Sequence, residues 1–227
     1  MGGGIRRVFD RIIQILSDSF WNLVIPGIKV TVPLTLVSFA LGLTVAVLCA
    51  LALVAKVPVL SSVIRFYVWI IRGTPLLVQL FIIFYGLPNL GIVIDPIPSA
   101  ILAFTLSVGA YCTETIRGAI RSVPVGQIEA GACAGLNYLQ IMFLIVLPQA
   151  FRSAFPALFN SFISLVKDTS LAASVTVTEM FMTAQRIAAR TYEPFWLYIE
   201  VALIYLVFCT VLTAVQNRGE KWLNRYA

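Results

Sequence analysis

"EAGACAGLNYLQIMFLIVLP", Glu129 to Pro148, is too polar at its start to sit in lipid and too apolar to be an ordinary loop. It opens on a carboxylate and small residues, carries Gly135 two turns in, and closes on Ile-Val-Leu-Pro. Just upstream, Pro124 sets a turn or a first helical position, and residues 127–134 form a good helix-forming run. Gly135 can take the left-handed backbone that ends such a helix. Residues 136–143 then resume as a second apolar helical run. The pattern predicts a short helix, a tight turn and another helix. Ala130, Gly131, Ala132 and Ala134 would let another surface approach closely, and Glu129 supplies a fixed charge at the start. These features fit a docking element for a cytoplasmic partner, or a lateral interfacial helix without one.

The chain around this stretch decides which solvent it meets. Of 227 residues, 60% are hydrophobic and 11% charged, whereas a soluble domain carries about 25% charged residues. The bilayer is therefore the expected solvent, and an all-α polytopic fold is expected. Five spanning helices fit, at about residues 23–55, 59–87, 98–116, 141–166 (or beginning after Pro148) and 195–215. Ahead of them, Ile5, Phe9, Ile12, Ile13 and Leu16 recur at helical spacing, which predicts an amphipathic surface helix over residues 1–18. The transmembrane domain then occupies residues 19–227. No compact apolar run ending at a small-residue cleavage site follows Arg6 and Arg7, so no removable signal peptide is expected.

Charge sets the expected orientation. Lys56 and Arg65 place the first loop inside, Arg117 and Arg121 the third, and Arg218, Lys221 and Arg225 the C-terminal tail. The loop around Pro88 to Ser99 holds a single charge, Asp95, and lies outside. Parity then puts the N-terminus outside and the C-terminus in the cytoplasm, against the local bias of Arg6, Arg7, Arg11, Arg186 and Arg190. The net charge of +6 reflects such helix-end basic residues, not nucleic-acid binding. Cys49, Cys112, Cys133 and Cys209 are scattered and read as free thiols. Gly42, Ala46 and Ala50 form a small-residue stripe suited to close helix packing.

Enzymatic readings fail on residue content. The chain has no His, which removes His-Glu-x-x-His metal sites and Ser-His dyads. Gly-x-Ser-x-Gly and a phosphate-binding Gly-x-x-x-x-Gly-Lys-Ser/Thr loop are also absent. Neither a catalytic nor a metal site is expected.

With the loop placed inside, Glu129-Ala130-Gly131, then Gly135, then Ile145-Val146-Leu147-Pro148 resembles the coupling-loop signature of ABC importer permeases: Glu-Ala-Ala, three residues, Gly, nine residues, Ile-x-Leu-Pro. Every spacing matches, and Gly131 stands where the second Ala is usual. Arg72-Gly73-Thr74-Pro75-Leu76-Leu77-Val78-Gln79-Leu80-Phe81 looks like the second-helix signature of polar amino-acid permeases. Ala110-Tyr111 with Glu114, Arg117 and Gly118, followed by Val125-Gly126-Gln127, looks like the matching third-helix exit. Trp69 occupies a position where many relatives carry a carboxylate. The resemblance runs from about Lys29 to the C-terminus.

It implies the type I importer permease fold, with a cytoplasmic coupling loop over about residues 118–147, in a prokaryotic cytoplasmic membrane. It implies as partners a dimer of ATP-binding subunits, which would hold the ATP and magnesium, a second permease chain, identical or related, and an extracytoplasmic substrate-binding protein. This chain would hold no cofactor. Glu129, Ala130, Gly131, Gly135, Ile145, Leu147 and Pro148 become the expected coupling residues. A permease for another small polar solute, or a channel or secondary transporter without ATP coupling, are the alternatives.

Intramembrane charges cost about 2.5–3.5 kcal/mol each on insertion scales, so they face cavities or partners. Arg72 precedes the Gly-Thr-Pro break and could either line the path or cap the carbonyls the break frees. Glu114 and Arg117 lie one turn apart and are expected to pair, while Glu200 receives no assignment. Asn160, Ser164 and Lys167 fall on one face of the fourth helix, with Ser161 and Asp168 beside them, and are expected to line the substrate path. Lys167 could meet a substrate carboxylate. With Asn160 and Ser161 rather than acids at mid-span, a neutral, polar or zwitterionic amino acid such as cystine is expected over a cationic one.

Overall fold

The computed structural model describes the backbone of residues 2–225 and the side chains of residues 9–223 and 225. It contains ten α-helices and no strand among the described residues: α1 (Gly2–Pro26), α2 (Val32–Val54), α3 (Leu60–Gly73), α4 (Leu76–Phe81), α5 (Pro96–Arg121), α6 (Val125–Cys133), α7 (Tyr138–Ile141), α8 (Leu147–Asp168), α9 (Met180–Thr191) and α10 (Pro194–Asn224). Several of these join end to end. Four helical stretches are long and apolar enough to cross a membrane, and the bent pair Leu60–Gly73 with Leu76–Leu90 adds a fifth if its two halves form one span. Four of the expected spans are present outright, with different ends.

Three π-turns, at Gly27–Thr31, Ile82–Gly86 and Met142–Val146, connect these helices. Each ends two residues before a proline: Pro33, Pro88 and Pro148. A proline has no N–H for the carbonyl four residues back and its ring crowds that carbonyl. Widening the preceding turn by one residue relieves the conflict without ending the helix. The fourth span consequently does not start after Pro148. It is helical from Tyr138 and continues as a 3₁₀ segment to Val175.

One expectation needs correction in its bounds: the surface helix over residues 1–18 is not a separate element, because α1 runs through its π-turn into α2. From Phe9 to Val54 the helix is one 46-residue stretch, roughly 70 Å long at 1.5 Å per residue. Ile12, Ser19 and Leu23 are buried where α1 packs on α9 and α10, while Phe9 and Ile13 of the expected apolar face stay exposed. The side chain of Ile5 lies outside the described residues. The Gly-Thr-Pro break expected in the stretch over 59–87 is present, and its halves meet at 105°. Thr74 (φ −123°, ψ 147°) and Pro75 (ψ 136°) are extended, because proline excludes the α conformation at the residue before it.

The core forms where α2 packs on α5, the most extensive helix pair of the fold. Gly42, Ala46 and Ala50 are all buried. Around Ala46 a cluster including Leu34, Leu80, Phe104 and Val108 fills the interior. The Tyr67 hydroxyl donates to the Leu106 carbonyl at 2.6 Å and ties α3 to α5.

Candidate coupling surface and translocation cavity

The opening stretch forms a capped helix, a tight turn and a second capped helix. After Ala134, Gly135 takes φ +82°. Its N–H donates to Ala132 and that of Leu136 to Gly131, at 3.0 and 3.1 Å. This pair of bonds is the Schellman closure, which only a residue tolerant of positive φ completes without strain. Asn137 then starts α7: its side chain accepts from the Gln140 N–H at 3.0 Å, and the Gln140 side chain accepts from the Asn137 N–H at 2.9 Å. Both ends of the turn are fixed locally, on a cluster of Ile120, Val123, Ile141 and Val146.

The signature residues divide by what they touch. Glu129, Ala130, Gly135 and Pro148 are exposed, whereas Gly131 is buried and Ile145 and Leu147 are partly buried. Val125, Ile128, Tyr138 and Leu139 of the same helix-turn-helix are exposed too, so it presents apolar side chains together with the Glu129 carboxylate. Gly131 faces inward, where an added Cβ would lie 2.8 Å from the Ile145 Cδ1 and 3.1 Å from the Ile141 Cγ1. Alanine improves helix propensity by about 1 kcal/mol, and this contact opposes the gain. A double-mutant cycle of Gly131→Ala with Ile145→Val, read by thermal unfolding, is expected to show a favourable coupling of about 1 kcal/mol. Additive effects would rule the contact out.

Above this surface, a cavity of about 410 Å³ lies among α4, α5 and α8. Its polar lining is Ser107, Tyr111, Asn160, Ser161, Ser164 and Asp168. Four of the expected path residues are thus brought together. Ser161 returns its hydroxyl to the Ala157 carbonyl at 3.0 Å, while Asn160 and Ser164 make no hydrogen bond to any described residue. Lys167 is not in this cavity. It opens into a separate groove of about 550 Å³ lined by Ser170, Tyr198, Tyr205 and Cys209 against α10. Arg72 ends α3 and stacks over the Tyr111 ring, 5.2 Å from its centroid, at the cavity edge. It caps none of the carbonyls freed by the break.

Several other charges hold the helices together, and two stand on α9 outside the candidate spans. Arg117 and Glu114 pair, with Arg117 Nε donating to both carboxylate oxygens at 3.3 and 3.1 Å. Ser19 donates to Glu200 at 2.5 Å, joining α1 to α10. Arg11 donates to the Thr191 carbonyl at 3.2 Å, and Arg186 and Arg190 are exposed on α9. Sequence reasoning missed Glu179. It is fully buried and caps α9, accepting from the Phe181 and Met182 N–H groups at 2.8 and 2.6 Å and from the Tyr205 hydroxyl at 3.0 Å. Burial pushes its carboxyl up from the ordinary value, and these three donors oppose the rise. The one available signal was a carboxylate ahead of a helical run, but helix N-caps favour Asp over Glu, so the signal is weak.

Residues 42–225 match the family described as binding-protein-dependent transport system inner membrane component. The chain is 49% identical over 214 residues to the L-cystine transport system permease protein TcyB of Bacillus subtilis (strain 168), covering 94% of this chain and 92% of that one. Among solved structures it is similar to a chain of an amino acid ABC transporter determined with histidines, at TM-score 0.85 and 30% identity, covering 90% of this chain and 96% of that one. A chain of the inward-facing MetNI methionine ABC transporter shares the fold, at TM-score 0.74 and 18% identity, over 91% of this chain and 98% of that one.

Proposed function

Because the chain belongs to the family of binding-protein-dependent transport system inner membrane components, and is the permease subunit of an ABC amino-acid importer, we propose that its cargo is a zwitterionic amino acid, cystine first. The observation that carries this reading is the cavity that gathers Asn160, Ser161, Ser164 and Asp168 beside Arg72. One carboxylate and one cation at its two edges match one α-ammonium and one α-carboxylate. Asn160 and the serines offer neutral hydrogen bonds between them. The similarity to a cystine permease supports the same choice.

The partners follow from the same reading. The exposed face around Glu129 docks on an ATP-binding subunit, a second permease chain completes the path, and a binding protein delivers cargo from outside. ATP and magnesium are held by the ATP-binding subunits. Closure of those subunits draws the coupling helices together and opens the cavity outward, and hydrolysis returns it inward. In this reading the bent pair counts as one crossing, the N-terminus lies outside, and the C-terminal Arg218, Lys221 and Arg225, all exposed, lie in the cytoplasm by the positive-inside bias.

Uptake into proteoliposomes containing the complete transporter tests the cargo. Cystine uptake is expected to require ATP and to resist excess arginine. Asp168→Asn should lower uptake about tenfold, the loss of one charged hydrogen bond to the ammonium. Arginine competing as well as cystine, or uptake without ATP, would overturn the reading.

A further inference from the structure

We propose that Gln79 is a positioning residue: by capping the broken end of α3 it keeps Arg72 free, over Tyr111, to receive a carboxylate of the cargo. The inference rests on the reading of the cavity given above.

The break strands the last carbonyls of α3, which have no N–H partners ahead of them. A cation in the last helical turn ordinarily takes such carbonyls, and Arg72 is that cation here. Two neutral side chains displace it. The Thr74 hydroxyl donates to the Ile70 carbonyl at 2.9 Å. From beyond the break, the two N–H groups of the Gln79 amide face three acceptors, the Ile71 carbonyl at 2.8 Å, the Thr74 carbonyl at 3.1 Å and the Thr74 hydroxyl at 2.9 Å, so that one N–H is shared between two of them.

Gln79 is 8% exposed, and its carbonyl oxygen is buried with no donor. The donor half alone therefore sets the side chain. Turning the amide over would press its oxygen against two carbonyl oxygens. Arg72 is left exposed, with no hydrogen bond or ion pair to any described residue and only the Tyr111 ring beneath it. A guanidinium in that state offers two parallel donors to a carboxylate. Without the Gln79 donors, the Ile71 and Thr74 carbonyls would lose their side-chain partners. Arg72 is a donor in the same turn, and it would fold back onto them and leave the cavity edge.

The test uses the permease assembled with its ATP-binding subunits in nanodiscs, without binding protein. Labelled L-cystine is displaced by cystine or by cystamine, which lacks both carboxylates. The wild type is expected to prefer cystine by about tenfold, the worth of one charged bidentate contact. Arg72→Gln should erase the preference. Gln79→Leu should erase most of it while leaving cystamine binding unchanged, a pattern that general loosening of the fold would not give. Should Gln79→Leu fail to assemble, Thr74→Val removes the other half of the clip and should shift the preference the same way, by less. A lost preference in Arg72→Gln with a wild-type ratio in the assembled clip variants overturns the positioning role. A wild-type ratio in Arg72→Gln overturns the role of Arg72 in the cavity, and the inference with it.

Discussion

Glu129→Lys is expected to abolish substrate-stimulated ATP hydrolysis by the assembled transporter. Glu129 is exposed on α6 and forms no ion pair with any described residue of its own chain. Val125, Ile128, Tyr138 and Leu139 of the same helix-turn-helix are exposed apolar side chains. In the docking proposed above, a cation on the partner balances this carboxylate. Removing one member of an interfacial charge pair costs about 2–5 kcal/mol, because the other stays buried and unpaired. Reversal sets two like charges together, so affinity should fall at least about 30-fold. Glu129→Gln should lie between the two. Co-purification with the ATP-binding subunit and ATPase assays at saturating cargo measure the effect. A complex and a stimulated activity that both survive Glu129→Lys would show that this face does not dock.

Gly42→Leu should remove the folded protein from the membrane altogether. An added Cβ at Gly42 would sit 2.7 Å from both Cβ and Cγ1 of Val108 and 3.0 Å from the Thr105 carbonyl oxygen. A branched Cβ and a backbone oxygen cannot rotate away, so α2 and α5 must separate along their whole shared face. Overpacking of this kind costs about 1–3 kcal/mol for small additions and more for large ones. Ala46 and Ala50, both fully buried on the same stripe, would lose contact together. Gly42→Ala should lower the unfolding temperature measurably. Gly118→Ala is the control, since nothing lies within 4 Å of its added Cβ. Equal unfolding temperatures for the two alanine variants would remove close approach as the reason for Gly42.

What the sequence disclosed follows from how local each cause is. The coupling turn is written within fifteen residues by Pro124, Gly135 and Asn137, whose backbone and capping preferences act on their nearest neighbours. The broken second span was half legible: Pro75 announced a break, but the 105° angle depends on what α5 offers each half to pack on. The α8 side of the cavity was legible except for Lys167, whereas Ser107 and Tyr111 of α5 were not foreseen as lining. Asn160, Ser161, Ser164 and Asp168 span one arc of α8, and Lys167 lies roughly 70° from its centre, just outside the arc, at about 100° per residue. The position of α10 gives that edge to another groove, and no spacing rule within α8 contains α10. Glu179 was hidden for a similar reason, since its third donor, Tyr205, lies 26 residues away.

The widened turn at Met142–Val146 also connects the two working ends of the molecule. One extra residue in a helix swings everything beyond it by about 100° around the axis. The compass bearing of Asn160, Ser164 and Asp168 is thus set not where they stand but at the foot of their helix, inside the Glu129–Pro148 signature proposed to meet the ATP-binding subunit. The cavity-lining residues and that signature share one shaft, and Pro148 fixes the angle at which the shaft is keyed.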